Sequence, residues 1–376
     1  MKVMIVVTHL LGTGHLARAL TLARAYVAAG DTACVVSGGL PAPLMEHSGI
    51  TFVQLPPVRS DGVDFSRLLN ADGTPVTDEH LEIRQRMLLD KFATFAPDVL
   101  ITELFPFGRR ILRDEFQSLL HEAKARPDPP LVCASIRDIL APPSKPKKAI
   151  FAEDLIAQFY DIVLVHSDAH VTPLTLSWPV SEILSRKLRY TGFVSPKAAG
   201  PHPDGAGAGE ILISAGGGDV GGPVYQTAID AARLLPNPMR ILLGGNPSNE
   251  RIADLRKNAP DHVSVEKARP DFRQMLYHAT ASVSLCGYNT ALDILQAATP
   301  AVFIPFDEGS EVEQGIRARA LSVQSGITTL ARADLNPRSL CDAIEHVINA
   351  PRRTTAAKFN GADRTVEITR TLGAKR

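Results

Sequence analysis

Short runs of β-branched and apolar residues alternate with longer amphipathic stretches along the whole chain. Several runs are apolar throughout, which is typical of strands covered on both faces of a parallel sheet. The alternation predicts an α/β fold with doubly wound sheets and right-handed crossovers. The predicted strands are Val3–Val7, Ala33–Val36, Thr51–Gln54, Asp98–Thr102, Leu131–Ser135, Asp161–His166, Glu210–Ser214, Met239–Leu243, His262–Glu266, Ala281–Leu285 and Ala301–Pro305.

This alternation of strand-like and helix-like segments is interrupted once, which predicts two domains. Residues 195–209 are rich in Pro, Gly, Ala and His without apolar periodicity, as expected of a linker. We therefore expect a Rossmann-like domain over 1–194 and a second one over 210–352. The tail, 353–376, has weak helical spacing and is predicted to pack as a helix on the first domain. Two such domains would face a central cleft at the carboxyl ends of their sheets, where open α/β sheets bind ligands.

Two smaller predictions concern the first domain. Leu16–Ala29 has apolar residues at helical spacing and is followed by Gly30, a typical helix stop. Residues 56–77 are polar and rich in Asp, Gly and Pro, which predicts a long loop on the acceptor side of the cleft.

Composition narrows the functional classes. The 376 residues carry 40 basic and 40 acidic side chains, so no overall field favours nucleic acid or an anionic membrane. The four cysteines form no C-x-x-C pair, which argues against a zinc site and fits a reducing compartment. The chain has no apolar run of membrane-spanning length and no signal-peptide pattern at its start. We expect a cytoplasmic protein with at most peripheral membrane contact.

The first candidate motif ends the first strand and opens the first helix. It reads Gly12-Thr13-Gly14-His15. Glycines here permit a tight turn and let backbone N–H groups approach a phosphate or an acceptor at a helix N-terminus. The pattern also fits a dinucleotide fingerprint, but the second strand ends in Ser37-Gly38-Gly39 and lacks the expected acidic ribose ligand.

His15 is the candidate general base of this region, because a neutral imidazole at a helix N-terminus can accept a proton from an attacking hydroxyl. The alternative is a histidine that only caps the helix. Glu103 and Asp138, which follow predicted strands, are candidate catalytic residues that would orient His15 or bind the acceptor. Either carboxylate could instead cap a helix or pair with a neighbouring arginine.

The second predicted domain contains three further candidate ligand-binding segments. Gly216, Gly217 and Gly218 follow a strand and form either a phosphate-binding nest or a flexible turn. Thr290 and Asp293 have the spacing of a capping box at the start of a helix over Ala291–Ala298, although Asp293 could equally bind ribose hydroxyls. The loop from Pro305 to Gln314 carries carboxylates and an amide that could bind sugar hydroxyls or simply be solvated.

Together these motifs resemble the GT-B nucleotide-sugar transferases, over most of the chain. The likeness is to the branch containing the N-acetylglucosaminyltransferase of peptidoglycan synthesis and to an uncharacterised bacterial subgroup of predicted glycosyltransferases. The resemblance implies a donor site in the second domain and an acceptor site near His15. The implied donor-binding residues are Gly216, Gly217 and Gly218 at the diphosphate, Phe272 in the loop at the base, Gly287, Asn289 and Thr290 at the phosphate-binding helix end, Asp293 at the ribose and Gln314 at the sugar.

The implied activity is transfer of a sugar from a nucleoside diphosphate, with UDP favoured, to an unidentified hydroxyl acceptor that is lipid-linked or a small metabolite. Inversion is favoured over retention, since a base at His15 suits single displacement. No D-x-D motif is present, and no obligatory metal or cofactor is expected beyond the nucleotide-sugar co-substrate. Three alternatives remain: a nucleotide-sugar hydrolase of the pseudaminic-acid-pathway type, a nicotinamide oxidoreductase, and a non-catalytic nucleotide-sugar binder.

Overall fold

A computed structural model describes residues 1–60, 67–215, 221–306, 312–351, 353 and 357–374. The chain divides into two compact units. The first comprises Met1–Pro196 with Lys358–Arg376, and the second comprises Lys197–Ala357. Within the described ranges, no helix has the length and apolar character needed to cross a membrane.

Each unit is built on one parallel sheet, and helices form most of the crossovers between its strands. The strands are β1 (Lys2–Val7), β2 (Thr32–Ser37), β3 (Thr51–Gln54), β4 (Val99–Glu103), β5 (Leu131–Arg137), β6 (Ile162–His166), β7 (Leu188–Tyr190), β8 (Ile211–Ser214), β9 (Met239–Leu243), β10 (Val263–Lys267), β11 (Ala281–Ser284), β12 (Ala301–Phe303) and β13 (Ile327–Thr329). The helices are α1 (Gly14–Ala28), α2 (Asp78–Phe95), α3 (Arg113–Ala125), α4 (Pro146–Phe159), α5 (Glu182–Lys187), α6 (Gly222–Ala232), α7 (Asn249–Asn258), α8 (Phe272–Met275), α9 (Tyr288–Ala297), α10 (Glu313–Leu321), α11 (Pro337–Asn349) and α12 (Gly361–Gly373).

The first sheet has seven strands in the order β3-β2-β1-β4-β5-β6-β7. Strands β1, β4 and β5 are almost entirely buried, as expected when helices cover both faces. The chain passes from β1 to β2 on one side, while β4 lies on the other side of β1. This reversal of strand order makes the carboxyl ends of β1 and β4 the topological switch point, where ligands of such sheets bind.

The last helix, α12, belongs to the first unit although it comes from the end of the chain. It packs on α1, where the Tyr26 hydroxyl lies 2.8 Å from Thr369 Oγ1. Its first residue, Gly361, passes so close to the backbone of Gly192 that a Cβ atom would come within 2.4 Å of the Gly192 carbonyl oxygen. Only glycine fits this contact without a shift of the backbone.

The second sheet has six strands in the order β10-β9-β8-β11-β12-β13 and is again parallel. Most of the segment predicted as a linker, 195–209, belongs to this unit, which begins at Lys197. His202 Nε2 lies 2.9 Å from Asp271 Oδ2, and a Cβ on Gly207 would come within 2.6 Å of the Met275 carbonyl oxygen.

The structure differs from the sequence predictions at several elements. The short strands β7 and β13 were not predicted, since three residues are too few to show a period. Helix α9 begins at Tyr288, with Gly287 as an N-cap that has no side-chain hydrogen bond. The capping-box interpretation of Thr290 and Asp293 is therefore wrong, because Thr290 already lies inside the helix. Part of the predicted long loop pairs with itself, through bridges from Leu69 to Arg59 and Pro75.

Candidate active site

The candidate active site of the first unit lies at the carboxyl edge of its sheet. His15 is the second residue of α1, and Glu103 is the last residue of β4. His15 Nδ1 lies 2.8 Å from Glu103 Oε1, so the imidazole and the carboxylate form a hydrogen-bonded pair. The Glu103 side chain is only 1% exposed, whereas the His15 side chain is 17% exposed. The pair therefore has a buried carboxylate behind an accessible imidazole.

Two further groups hold the Glu103 carboxylate in place. The Arg18 guanidinium, one helical turn after His15, donates to Oε1 through Nη2, and the Ser135 hydroxyl donates to Oε2 at 2.6 Å. Burial would by itself raise the pKa of Glu103, but the Arg18 charge and the His15 hydrogen bond outweigh it and hold that pKa well below its usual range. Glu103 is thus ionised at neutral pH.

The protonation state of His15 follows from its surroundings. Burial, together with the nearby charge of Arg18, lowers the pKa of His15 to about 3 even though the hydrogen bond to Glu103 opposes the shift. The imidazole is therefore neutral at neutral pH. Nδ1 lies 2.8 Å from Glu103 Oε1, which can only accept, and 3.0 Å from Arg18 Nη2, which can only donate. Because Arg18 Nη2 already donates to Glu103 Oε1, we assign the hydrogen to Nδ1 and the lone pair to Nε2. Among the described residues, no hydrogen bond reaches Nε2. The lone pair on Nε2 is therefore the position at which this ring can accept a hydrogen bond or a proton.

The turn before His15 leaves space beside the helix N-terminus. Gly12, Thr13 and Gly14 are all exposed. A Cβ atom on Gly12 or Gly14 would meet nothing within 4 Å, and neither residue has a left-handed backbone. The packing of the unit therefore does not require these glycines. The third predicted catalytic residue, Asp138, is buried directly after β5.

In the second unit, Asp293 forms an ion pair that the sequence did not indicate. Arg273 Nε donates to Asp293 Oδ1 at 2.7 Å, and Arg273 Nη2 donates to Gln296 Oε1 at 2.9 Å and to the Lys197 carbonyl oxygen at 2.8 Å. Burial raises the pKa of Asp293, and the Arg273 charge opposes that shift. The ion pair holds the Asp293 carboxylate in place in the second turn of α9.

The other predicted donor residues have distinct environments. Asn289 is exposed and Thr290 half-buried in the first turn of α9, whose N-cap Gly287 has open space around its Cα. The Gln314 side chain uses Oε1 to accept from the backbone N–H of Phe306 at 3.2 Å. Phe272 is half-buried at the start of α8. Gly216, Gly217 and Gly218 lie outside the described residues.

Sequence reasoning missed a buried arginine beneath the start of α9. Arg317 donates through Nη1 to the Cys286 carbonyl oxygen at 2.9 Å, and its guanidinium carbon lies 5.8 Å from the centre of the Tyr288 ring. It comes from α10, and nothing in its local sequence distinguishes it from a surface arginine. Arg18, by contrast, could have been inferred, because it follows His15 at the i+3 spacing that places two side chains on one helix face. In the part of the chain that the structure describes, no group of His, Cys, Asp and Glu has the arrangement of a metal site.

Burial of two neutral histidines predicts that acid destabilises the first unit. Burial lowers the pKa values of both His15 and His166 to about 3 from an ordinary value of 6.5. The unfolded chain therefore takes up these protons first, and their contribution to stability, complete above pH 6.5, is lost as the pH falls below that value. Below pH 6 we expect the free energy of unfolding to fall by about 1.4 kcal/mol per pH unit for each histidine.

Denaturation followed by tryptophan fluorescence measures this slope, because the single tryptophan, Trp178, is buried in the first unit. The variant His166→Gln should show a smaller slope than the wild type between pH 6 and pH 5, because it lacks one of the buried neutral histidines. Equal slopes in the two proteins would contradict the assignment of His166 as a buried neutral group.

Comparison with known proteins agrees with this architecture. The family model of the glycosyltransferase family 28 C-terminal domain matches residues 226–368. Among solved structures, MurG of Acinetobacter baumannii has a TM-score of 0.66 at 14% identity, covering 99% of this chain and 100% of that one. The glycosyltransferase VinC in complex with dTDP has a TM-score of 0.61 at 16% identity, with both chains covered in full. The GT-B fold predicted from the sequence is confirmed.

Curated relatives point to the same branch. The UDP-N-acetylglucosamine--N-acetylmuramyl-(pentapeptide) pyrophosphoryl-undecaprenol N-acetylglucosamine transferase of Brucella canis is 28% identical over 143 residues, and that of Rhizobium etli is 26% identical over 95 residues. The first match covers 36% of this chain and 38% of the relative. The chain is thus a GT-B protein related to the branch that contains the peptidoglycan N-acetylglucosaminyltransferases, as its motifs predicted.

Proposed function

We propose that the protein transfers a sugar from a nucleoside diphosphate, preferably UDP, to a hydroxyl acceptor, with His15 as the general base. The observation that carries this proposal is the hydrogen bond between His15 and the buried, ionised Glu103 at the switch point of the first sheet. The pair supplies an accessible imidazole whose Nε2 can accept a proton, backed by a carboxylate that stabilises the imidazolium formed.

The proposed reaction is a single displacement. The acceptor oxygen forms a bond to the anomeric carbon of the sugar while the bond from that carbon to the diphosphate oxygen breaks. The acceptor proton passes to His15 Nε2, and the electron pair of the broken bond leaves with the diphosphate. Attack from the side opposite the leaving group inverts the anomeric configuration, which is the outcome we expect.

The donor is proposed to bind the second unit. The N-terminus of α9 supplies backbone N–H groups for the diphosphate, and Gly287 leaves room for it to approach. Asp293, held by Arg273, is proposed to accept hydrogen bonds from the ribose hydroxyls. UGT2 of Phytolacca americana, a protein of similar fold with a TM-score of 0.60, has been solved with UDP-2-fluoroglucose, which supports a nucleotide-sugar ligand. The acceptor is proposed only as a hydroxyl compound, lipid-linked or small.

A thermal-shift panel of UDP, UDP-sugars, dTDP-sugars and NAD(P) tests the donor class. A ligand that binds only the folded protein stabilises it by about 2.7 kcal/mol at a hundredfold excess over its Kd. We expect a UDP-sugar to raise the melting temperature and Asp293→Asn to weaken that shift. The matched control, Asp342→Asn, changes an exposed carboxylate of the same unit and should respond as the wild type does.

Three results of this panel and its follow-up would decide against the proposal. A shift with NAD(P) and none with nucleotide sugars would favour an oxidoreductase. Release of free sugar from the stabilising donor without any acceptor would favour the hydrolase, in which the same base activates water. If a nucleotide sugar stabilises the protein but is never consumed, the protein is a non-catalytic nucleotide-sugar binder.

A further inference from the structure

The pair of His15 and Glu103 is one end of a longer chain of buried hydrogen bonds. Ser135 Oγ, which donates to Glu103 Oε2, also lies 3.0 Å from His166 Nε2. On its other side, His166 Nδ1 lies 2.9 Å from Thr191 Oγ1. No part of the proposed reaction uses these last three residues, although one of them is a titratable group with no exposed surface.

The fold explains why these side chains meet. Glu103 ends β4, Ser135 lies near the end of β5, and His166 ends β6, so three neighbouring parallel strands place them along one edge of the sheet. Thr191 directly follows β7, the next strand of that edge. These hydrogen bonds therefore run along the edge of the sheet, from its outer strand β7 to the switch point at β4. Ser135, His166 and Thr191 are all buried.

The direction of each hydrogen bond follows from the chemistry of the groups. Glu103 accepts only, so the single hydrogen of the Ser135 hydroxyl points to the carboxylate. Ser135 Oγ must then accept from His166, which places a hydrogen on His166 Nε2 and a lone pair on its Nδ1. The Thr191 hydroxyl lies within reach of that Nδ1, and its single hydrogen is shared between Nδ1 and the carbonyl oxygens of Gly192, at 2.7 Å, and Val165, at 3.4 Å.

We propose that Ser135 and His166 are positioning residues of the active site: their hydrogen bonds fix the Glu103 carboxylate, which in turn holds His15 with Nδ1 protonated and Nε2 as the acceptor. Two positive charges lie near Glu103: that of Arg18, which pairs with its carboxylate, and that of the half-buried Arg109. Two guanidinium groups near one carboxylate oppose a further positive charge, so His166 serves as a neutral donor. The proposal rests on the proposed role of His15.

The tautomers of the two histidines test the proposal without any assay of activity. The structure assigns hydrogen to Nδ1 in His15 and to Nε2 in His166. In full-length protein labelled with ¹⁵N-histidine, long-range ¹H–¹⁵N correlation spectra distinguish the two tautomers, and His15→Gln and His166→Gln spectra assign the signals. Opposite tautomers in the two rings at pH 7.5 are expected. An Nδ1 hydrogen on His166 would overturn the proposal.

Variants then test the consequence for His15. In Ser135→Ala, Glu103 Oε2 loses its neutral donor, and we expect a mixture of His15 tautomers together with a kcat about tenfold lower at an unchanged donor KM. His166→Gln keeps an N–H donor toward Ser135 and should retain most of the activity, whereas His166→Leu should lose it as Ser135→Ala does.

A matched control separates positioning from loss of packing. Thr102→Val removes a neighbouring buried hydroxyl of β4 that bonds to Tyr160 at 2.8 Å, and it should leave the His15 tautomer unchanged. An unchanged His15 tautomer in Ser135→Ala would overturn the proposal. If His15→Gln kept full transfer activity, the proposed base role would fail, but the tautomer results would still decide the role of Ser135 and His166.

Discussion

Replacing His15 by glutamine is expected to lower kcat for sugar transfer by about 10²- to 10⁴-fold, the range by which a positioned general base accelerates proton transfer. Glutamine preserves a polar side chain of similar length but offers no atom that can take the acceptor proton at neutral pH. Donor binding is proposed to depend on the second unit, so the donor KM should change by less than about threefold. Steady-state kinetics with the donor identified by thermal shift measure both quantities.

Two companion variants sharpen this prediction. Glu103→Gln removes the charge that stabilises an imidazolium at His15, and it should lower kcat in the same direction with unchanged donor KM. His170→Gln changes an exposed histidine of the same unit and should behave as the wild type. A His15→Gln enzyme with more than about a third of the wild-type kcat would exclude His15 as the base.

The pH dependence offers an independent check. Because burial lowers the pKa of His15 to about 3, the wild-type rate should not fall through a titration centred near 6.5. The acid limit of activity should instead coincide with the loss of stability of the first unit. An acid limb near pH 6.5 in a fully folded enzyme would mean that a different group, with an ordinary histidine pKa, acts as the base.

The hydrogen bond between His15 and Glu103 could be foreseen in part from the sequence. The two residues are 88 positions apart, but both follow strands predicted to be parallel, and the carboxyl ends of parallel strands share one edge of a sheet. What could not be foreseen is the strand order that places β4 beside β1. Ser135 and His166 stand at the ends of predicted strands too, yet a serine or histidine there has no distinctive pattern.

Contacts between helices were harder to predict than the strands. Arg273 and Asp293 lie on different helices, and only tertiary packing brings them together. Thr290 and Asp293 had the spacing of a capping box, but the helix starts earlier, at Tyr288, so local pattern and actual boundary disagreed. Gly38 illustrates the same limit. A Cβ on this residue would come within 2.3 Å of Thr8 Oγ1 and 2.5 Å of Arg84 Nη2, so two side chains distant in the sequence leave no room for one.

Loss of the Arg84 side chain should strongly destabilise the first unit. It is fully buried on α2 and pairs bidentately with Glu115 of α3, with Nε to Oε2 at 3.0 Å and Nη2 to Oε1 at 3.1 Å. Its Nη1 donates to the carbonyl oxygens of Gly38, at 2.9 Å, and Pro56. One guanidinium thus joins two helices to the segments that follow β2 and β3.

Arg84→Leu is expected to lower the free energy of unfolding of the first unit by about 3–5 kcal/mol, because it leaves the Glu115 carboxylate buried without its partner. Denaturant unfolding followed by the fluorescence of Trp178 reports on this unit. In the double variant Arg84→Leu/Glu115→Leu the unpaired charge is absent, so it should be more stable than the single variant by at least about 1 kcal/mol. Two results would contradict this explanation: a loss of less than about 1 kcal/mol in the free energy of unfolding of Arg84→Leu, or a double variant less stable than the single one. Either would mean that the unpaired Glu115 carboxylate is not the cause of the destabilisation.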